Sequence, residues 1–123
     1  MTQNEKIINA VTDFVRGGDE SNVEKLDNIL HQDFRNTQNG FFAEKGVVVF
    51  DKEKYLSLIR DKVFGGNPRE MEIAFIEEAG NIAVVKASLK STELTFTSFI
   101  SLVADESGNW KVIENFPFIQ VNK

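Results

Sequence analysis

The sequence predicts an α+β fold, in which three helices pack on one face of a curved, mostly antiparallel sheet. Two observations support this prediction. In residues 7–15, 23–30 and 55–64, apolar residues recur every three or four positions, which is the period of a helix with one buried side. From Arg69 onward they recur at every second position, which is typical of strands with one buried face. Helices that are separated along the chain from an antiparallel sheet usually cover one of its faces.

Two amphipathic helices are predicted at the start of the chain. Residues 2–5 (TQNE) and 21–24 (SNVE) both have the spacing of a capping box, which satisfies free backbone groups at a helix start. Gly17 and Gly18 are predicted to end the first helix, and the second is predicted to end near His31. These helices would bury their apolar stripes against the rest of the chain.

A strand and a third helix are predicted in the middle of the chain. Residues 36–40 (NTQNG) predict a polar turn, and residues 46–50 (GVVVF) predict a strand. Asp51 is a predicted N-cap for the third helix, whose apolar side contains Tyr55. Residues 65–68 (GGNP) end this helix, because proline disfavours helical geometry in the residue before it.

Four antiparallel strands are predicted after residue 69. Met71, Ile73 and Phe75 alternate on one face of the first of these strands. A two-residue turn at Thr92 and Glu93 then sets the register of the next pair. In that register Leu89 lies beside Phe96, Ala87 beside Ser98 and Val85 beside Ile100.

The register of the last two strands decides which polar side chains face the helices. The register that puts the apolar residues on one face has three pairs. Trp110 lies opposite Leu102, Glu114 opposite Ser98 and Phe116 opposite Phe96. A slip of one residue would turn Glu114 outward. The same register leaves an apolar outer face, which consists of Phe99, Val103, Ile113 and Ile119.

Composition excludes several classes of protein. The 123 residues predict one domain, residues 1–123, and the net charge of -5 argues against a nucleic-acid partner. The chain has no cysteine and one histidine, so we expect no disulfide, no metal site and no bound cofactor. The first residues lack the pattern of a signal peptide, and no apolar run is long enough to span a membrane. These features predict a cytoplasmic protein with no membrane partner.

The element order and several short motifs resemble the nuclear-transport-factor-2-like superfamily, whose members form a cystatin-like cone. Within it, the chain looks most like the small bacterial proteins called putative lumazine-binding. The resemblance runs from about residue 5 to residue 118. It is carried by residues 30–35 (LHQDFR), 54–56 (KYL), 65–69 (GGNPR), 81–86 (NIAVVK) and 108–113 (GNWKVI). It implies the fold, whereas the superfamily includes isomerases, dehydratases, cyclases, ligand carriers and dimeric scaffolds.

Three residues are candidates for acid–base chemistry. A carboxylate on a buried face has a raised pKa, so Glu114 could act as a general acid or bind a ligand. It could also pair with Lys86 or Arg69, or face solvent. His31 is the one imidazole base available, although in the last turn of a helix it could instead cap that helix. Tyr55 could point its hydroxyl into a cavity or into water.

The leading functional hypothesis is binding of a small, largely apolar molecule between helices and sheet. The predicted ligand-binding residues are Phe14, Phe34, Tyr55, Phe96, Ser98, Glu114 and Phe116, with His31 as a further polar anchor. One alternative is an acid–base enzyme of isomerase, dehydratase or cyclase type. Another is a scaffold whose cavity is filled by its own phenylalanines. An apolar outer face also predicts a homodimer, which the resemblance implies as well.

Overall fold

In the computed structural model, which describes residues 1–41 and 44–122, three helices cover one face of a six-stranded sheet. The helices are α1 (Gln3–Asp19), α2 (Val23–Ile29) and α3 (Lys52–Arg60). The strands are β1 (Leu30–Phe41), β2 (Glu44–Asp51), β3 (Glu70–Ala79), β4 (Ile82–Lys90), β5 (Leu94–Ala104) and β6 (Trp110–Val121). The strand order is β2-β1-β6-β5-β4-β3, and the β1–β6 pair is parallel while the other pairs are antiparallel. The predicted α+β fold is confirmed.

The helix starts follow the predicted capping chemistry closely. The Thr2 side chain accepts a hydrogen bond from the Glu5 backbone, and the Glu5 carboxylate accepts one from the Thr2 backbone. Asp51 caps α3 by accepting from the Lys54 N–H. The cap of α2 was predicted one residue too early, because Asn22 and not Ser21 accepts from the backbone of Lys25.

Helix α1 does not end at its two glycines, contrary to the prediction, but continues to Asp19. Gly17 is buried, and a Cβ placed there would lie 2.8 Å from the Leu26 side chain. The glycine therefore allows α2 to pack closely against α1, which is a use of glycine other than ending a helix.

Strand β1 contains the segment that was predicted to be a turn. Residues 36–39 pair with β2 on one side, and Asn36 pairs with Asn115 of β6 on the other. His31 is also part of β1, so the prediction that it lies in the last turn of a helix was wrong. Two neighbouring strands supply a hydrogen-bonding ladder here, and this tertiary pairing outweighs the local preference of Asn and Gly for turns.

The predicted β4–β5 register is confirmed, but the β5–β6 register was wrong. Ala87 pairs with Ser98 as expected, whereas Trp110 pairs with Ala104 and not with Leu102. A bulge then adds one residue to β6, so that Glu114 lies opposite Ser101. An extra residue reverses the facing of every side chain beyond it.

Because of this bulge, the β6 residues that face the helices are not the predicted ones. Asn115, Pro117 and Ile119 take the inner face, which we define as the face that the helices cover. Glu114 and Phe116 consequently lie on the outer face. Ile119, which was predicted to face outward, lies opposite Phe96 on the inner face instead.

A second bulge has the same effect in β3. Ile73 pairs with Ala87 and Ile76 pairs with Val85, so the inner face changes from odd to even positions between them. Phe75 pairs with Lys86 on the outer face, contrary to the prediction, and is 42% exposed. The hydrophobic core lies between the inner face and the helices. Its members without solvent exposure include Ile7, Val11, Leu26, Phe34, Val85, Ile100 and Val112.

Candidate functional site

A cavity of about 340 Å³ lies between the inner face of the sheet and the helices. Its walls come from α1, α3, the segment of residues 61–69 and strands β1, β4, β5 and β6. Apolar side chains supply most of the surface, together with a few amide, hydroxyl and guanidinium groups. The lining residues are Phe14, Gly18, Asn36, Gln38, Gly40, Tyr55, Ile59, Val63, Phe64, Gly65, Asn67, Arg69, Leu89, Ser91, Leu94, Phe96, Ser98, Asn115, Pro117, Ile119 and Val121.

One wall of the cavity is a cluster of aromatic rings. Phe14 from α1 and Tyr55 from α3 stack with their ring centroids 6.2 Å apart. Phe34 of β1 lies behind them, 5.2 Å from Tyr55 and 6.0 Å from Phe14, and is fully buried. Phe64 meets Tyr55 at 5.9 Å from the other side. Such ring contacts stabilise this arrangement of the wall more than burial of the rings alone would.

Four polar side chains of the sheet line the cavity, and all of them are buried. They are Asn36 and Gln38 of β1, Ser98 of β5 and Asn115 of β6. The Gln38 Nε2 donates to the Asn36 Oδ1 at 3.0 Å. The Asn115 Oδ1 is buried and accepts no hydrogen bond from any residue in the described ranges. A buried acceptor without a partner is costly. In this orientation a water molecule does not reach the oxygen, and a half turn of the amide would exchange it with the Nδ2 group.

A buried ion pair forms the wall next to the end of α1. The Arg69 Nε donates to the Asp19 Oδ1 at 2.6 Å, and the Arg69 backbone N–H donates to the other carboxylate oxygen at 3.2 Å. The Asp19 side chain is 4% exposed. The guanidinium group also lies over the Phe96 ring, 4.8 Å from its centroid. The pair contributes no net charge, although Arg69 lines the cavity.

The segment of residues 61–69 is fixed to the same end of α1. The Gly66 N–H donates to the Gly18 carbonyl at 3.0 Å. Gly65 has a φ of 74°, and a Cβ placed on it would lie 2.2 Å from the same carbonyl oxygen. Only glycine allows this approach. This contact positions Arg69 and Phe64 at the cavity wall.

Tyr55 is the titratable group whose chemistry the cavity changes most. Burial raises the pKa of Tyr55 to about 12, an increase that the nearby Arg69 opposes and Asp19 assists. The hydroxyl makes no hydrogen bond to any described residue. At neutral pH it is therefore protonated and can donate a hydrogen bond into the cavity.

The structure places the predicted ligand-binding residues in three different environments. Phe14, Tyr55, Phe96 and Ser98 line the cavity. Phe34 supports the aromatic wall from behind and does not reach the cavity surface. Glu114 and Phe116 lie on the opposite face of the sheet, because the bulge in β6 reverses their direction, so the prediction that they face the cavity was wrong.

His31 also lies away from the cavity. Its Nδ1 accepts a hydrogen bond from the Asp33 backbone N–H at 3.0 Å, and its side chain is half-buried near the start of β1. His31 and Glu114 therefore do not meet at a common point inside the protein. Of the three predicted acid–base candidates, the structure places Tyr55 alone at the cavity.

Sequence reasoning missed six polar cavity residues, namely Asn36, Gln38, Asn67, Arg69, Ser91 and Asn115. A signal for two of them was present, because Phe34, Asn36 and Gln38 occupy every second position as a one-sided strand requires. Asn115 could not be found without knowing the position of the bulge. Arg69 gave no signal, because its partner Asp19 lies 50 positions earlier in the chain.

Among residues 1–41 and 44–122, no group of three or more His, Asp or Glu side chains lies close enough together to hold a metal ion. No described helix is long and apolar enough to cross a membrane.

The comparisons with known proteins point to one family. Residues 2–116 match the family described as Putative lumazine-binding. No protein of curated function matches the chain.

Three solved structures illustrate the shared fold. A nuclear-transport-factor-2-like protein of unknown function from Shewanella baltica is 17% identical, with a TM-score of 0.82 over 95% of this chain and 93% of that one. One from Silicibacter pomeroyi is 14% identical, with a TM-score of 0.79 over 99% and 100%. A nuclear-transport-factor-2-like protein from Cytophaga hutchinsonii is 19% identical, with a TM-score of 0.77 over 95% of this chain and 98% of that one. These likenesses show the nuclear-transport-factor-2-like fold alone.

Proposed function

Because this chain belongs to the family described as Putative lumazine-binding, we propose that it binds a small, largely apolar molecule in the cavity between helices and sheet. The observation that carries this proposal is the cavity itself. Its volume of about 340 Å³ falls within the range of small-molecule sites, and its mixture of apolar walls with few polar groups is typical of them. The Asn36, Gln38 and Ser98 side chains in its wall give such a ligand polar anchors.

The two alternative functions receive less support from the same geometry. An acid–base enzyme would rely on Tyr55, because His31 and Glu114 lie outside the cavity. A pKa of about 12 makes Tyr55 a poor base at neutral pH, although it can still donate a hydrogen bond. A scaffold filled by its own phenylalanines fits less well, since Phe14 and Phe96 line the cavity and leave it open.

The proposal is tested by filling the cavity. Lumazine, which the family description names, and the uncharged fluorescent probe N-phenyl-1-naphthylamine are titrated into the protein. Ser98→Leu places a larger side chain in the cavity, whereas Thr97→Leu makes a similar change on the outer face of the same strand. We expect the wild type and Thr97→Leu to bind at least one of the two compounds, and Ser98→Leu to lose that binding. Equal binding by both variants, or none by the wild type, would contradict the proposal.

We further propose that two copies of the chain pair through the outer face of the sheet. Phe99, Phe116 and Phe118 lie on this face of neighbouring strands and are 39%, 50% and 61% exposed. Phe99 and Phe116 are directly opposite each other, and the Lys86 Nζ lies 5.7 Å from the centre of the Phe99 ring. Exposed aromatic residues grouped in this way usually mark a contact with another protein. A two-fold pair would cover this patch with the same patch of a second copy.

Light scattering coupled to size exclusion tests the pairing. We expect the mass of a dimer at micromolar concentration, and the mass of a monomer for Phe116→Glu. Asn4→Glu adds the same charge on α1, away from the sheet, and should remain dimeric. A monomeric wild type, or a dimer that Phe116→Glu leaves intact, would be evidence against pairing through this face.

A further inference from the structure

The polar groups of the cavity define the chemistry of the ligand more narrowly than its size does. From them we infer that the ligand is uncharged and carries an amide-type edge, meaning a carbonyl next to an N–H, as in a carboxamide, lactam or imide. This inference rests on the proposed function, because it describes the ligand of the same cavity.

The first step concerns the unused hydrogen-bonding groups. The bond from Gln38 to Asn36 leaves the Asn36 Nδ2 donors and the Gln38 Oε1 acceptor without a partner among the described residues. The Asn115 side chain lies beside them and also lines the cavity. These groups lie on two adjacent strands, where Asn36 and Asn115 are directly paired. The site therefore offers donors and acceptors side by side, and a ligand that satisfies both must itself have both.

The second step concerns the orientation of the amides. A side-chain amide can exchange its oxygen and nitrogen by a half turn, so Asn115 could present either group to a ligand. A ligand edge with one donor and one acceptor matches both orientations. An edge with acceptors alone, such as a ketone or a carboxylate, leaves the Gln38 Oε1 acceptor without a partner.

The third step concerns charge. Among the described residues that line the cavity, Arg69 carries the one full charge, and Asp19 neutralises it through a contact of 2.6 Å. Both side chains are largely buried, with 16% and 4% exposure. A ligand with a carboxylate or an ammonium group would bring an unpaired charge into this environment, which is strongly unfavourable. The electrostatics of the cavity therefore select against charged ligands.

Three probes of nearly the same shape test the inference by titration calorimetry. They are 2-naphthamide, which has a donor and an acceptor, 2-acetonaphthone, which has an acceptor only, and 2-naphthoate, which is an anion. We expect 2-naphthamide to bind about tenfold or more tightly than either of the others, as the loss of a buried hydrogen bond implies. In Asn115→Leu the ratio of amide to ketone affinity should fall to about one. Asn9→Leu makes the same change on the exposed side of α1 and should keep the wild-type ratio.

The possible outcomes separate this inference from the proposed function. Equal binding of the amide and the ketone by the wild type would overturn the inference and leave the cavity as an apolar binding site. Tighter binding of 2-naphthoate would overturn it in favour of an anion site. If none of the three probes binds while lumazine or N-phenyl-1-naphthylamine does, the inference fails and the proposed function stands; if none of the five compounds binds, both fail. If Asn115→Leu does not fold, Gln38→Met on the neighbouring strand replaces it. The ratio of amide to ketone affinity should fall in this variant as well, and an unchanged ratio would count against the inference.

Discussion

The two faces of the sheet carry aromatic residues in opposite environments. On the inner face, Phe34 and Phe96 pack with rings, a guanidinium group and buried amides around a cavity. On the outer face, Phe99 and Phe116 lie opposite each other and are partly exposed to solvent. Phe96 and Phe99 belong to the same strand, β5, so the difference between them arises from the facing of each position and not from local composition.

The contrast indicates two different roles for one residue type. Inner-face aromatics are fixed by neighbours on α1 and α3, and they shape a space inside the protein. Outer-face aromatics have no covering element within the described part of the chain, so their apolar surface is available to a partner. A single inserted residue in β6 determines which of the two roles Phe116 has.

The largest effect on stability is expected for Phe34, in comparison with Phe116. Both residues were predicted to line a pocket. Phe34→Ala should lower the free energy of unfolding by about 3–5 kcal/mol, because it removes a fully buried ring. Phe116→Ala should lower it by about 1 kcal/mol or less, because half of this ring is exposed in one copy of the chain. Urea unfolding at a concentration where the chain is monomeric measures both. Similar losses of unfolding free energy in the two variants would contradict the difference between the two faces.

The next effect concerns the buried ion pair on the cavity side. Asp19→Ala should destabilise the protein by about 3 kcal/mol, because it leaves the largely buried Arg69 without its counter-charge. The control is Glu20→Ala, which breaks the exposed pair with Lys25 and should cost less than about 1 kcal/mol. Both are measured by urea unfolding. If Asp19→Ala loses no more unfolding free energy than Glu20→Ala, the Arg69 side chain reaches water easily.

A third effect is the dependence of stability on alkaline pH. The folded protein holds the pKa of Tyr55 at about 12, above its ordinary value of 10.0, because burial disfavours the phenolate. Since the unfolded chain ionises first, the stability that Tyr55 contributes is complete below pH 10 and is lost as the pH rises towards 12. The loss corresponds to about 3 kcal/mol.

The single tyrosine makes this prediction easy to measure. Absorbance at 295 nm reports the ionisation of Tyr55 alone, and we expect its midpoint near pH 12 while the protein stays folded. Tyr55→Phe should remove the part of the pH dependence that Tyr55 causes, while lysine titration remains in both proteins. A midpoint near pH 10 in the folded protein would show that the hydroxyl is in contact with solvent.

The smallest effect is expected for Glu114→Gln on the outer face. Because Glu114 lies opposite Ser101 and does not reach the cavity, the substitution should change stability by less than about 0.5 kcal/mol and leave probe binding unchanged. Calorimetric titration with 2-naphthamide compares probe binding by the variant and the wild type. A clear loss of binding would return Glu114 to the site and contradict the bulge in β6.

The sequence was sufficient for the fold and insufficient for the site, for a physical reason. In the β4–β5 hairpin, a two-residue turn and unbroken alternation allow one register, and Ser98 was placed correctly. In β6, apolar residues on both sides of the bulge fit two alternations, so local pattern could not place Glu114 or Asn115. Strand β1 was missed because its pairing with β6 joins residues about 80 positions apart, and no local propensity contains that information.

Intermolecular nuclear Overhauser effects between a bound probe and the protein test the central claim most directly. With 2-naphthamide bound, we expect contacts from its ring protons to the ring of Tyr55, which is unambiguous as the chain's one tyrosine, and to Phe14 and Phe96. The side-chain amide signals of Asn36, Gln38 and Asn115 should shift in the same titration. Contacts to Phe99 and Phe116 in place of these would put the ligand on the outer face and contradict the account.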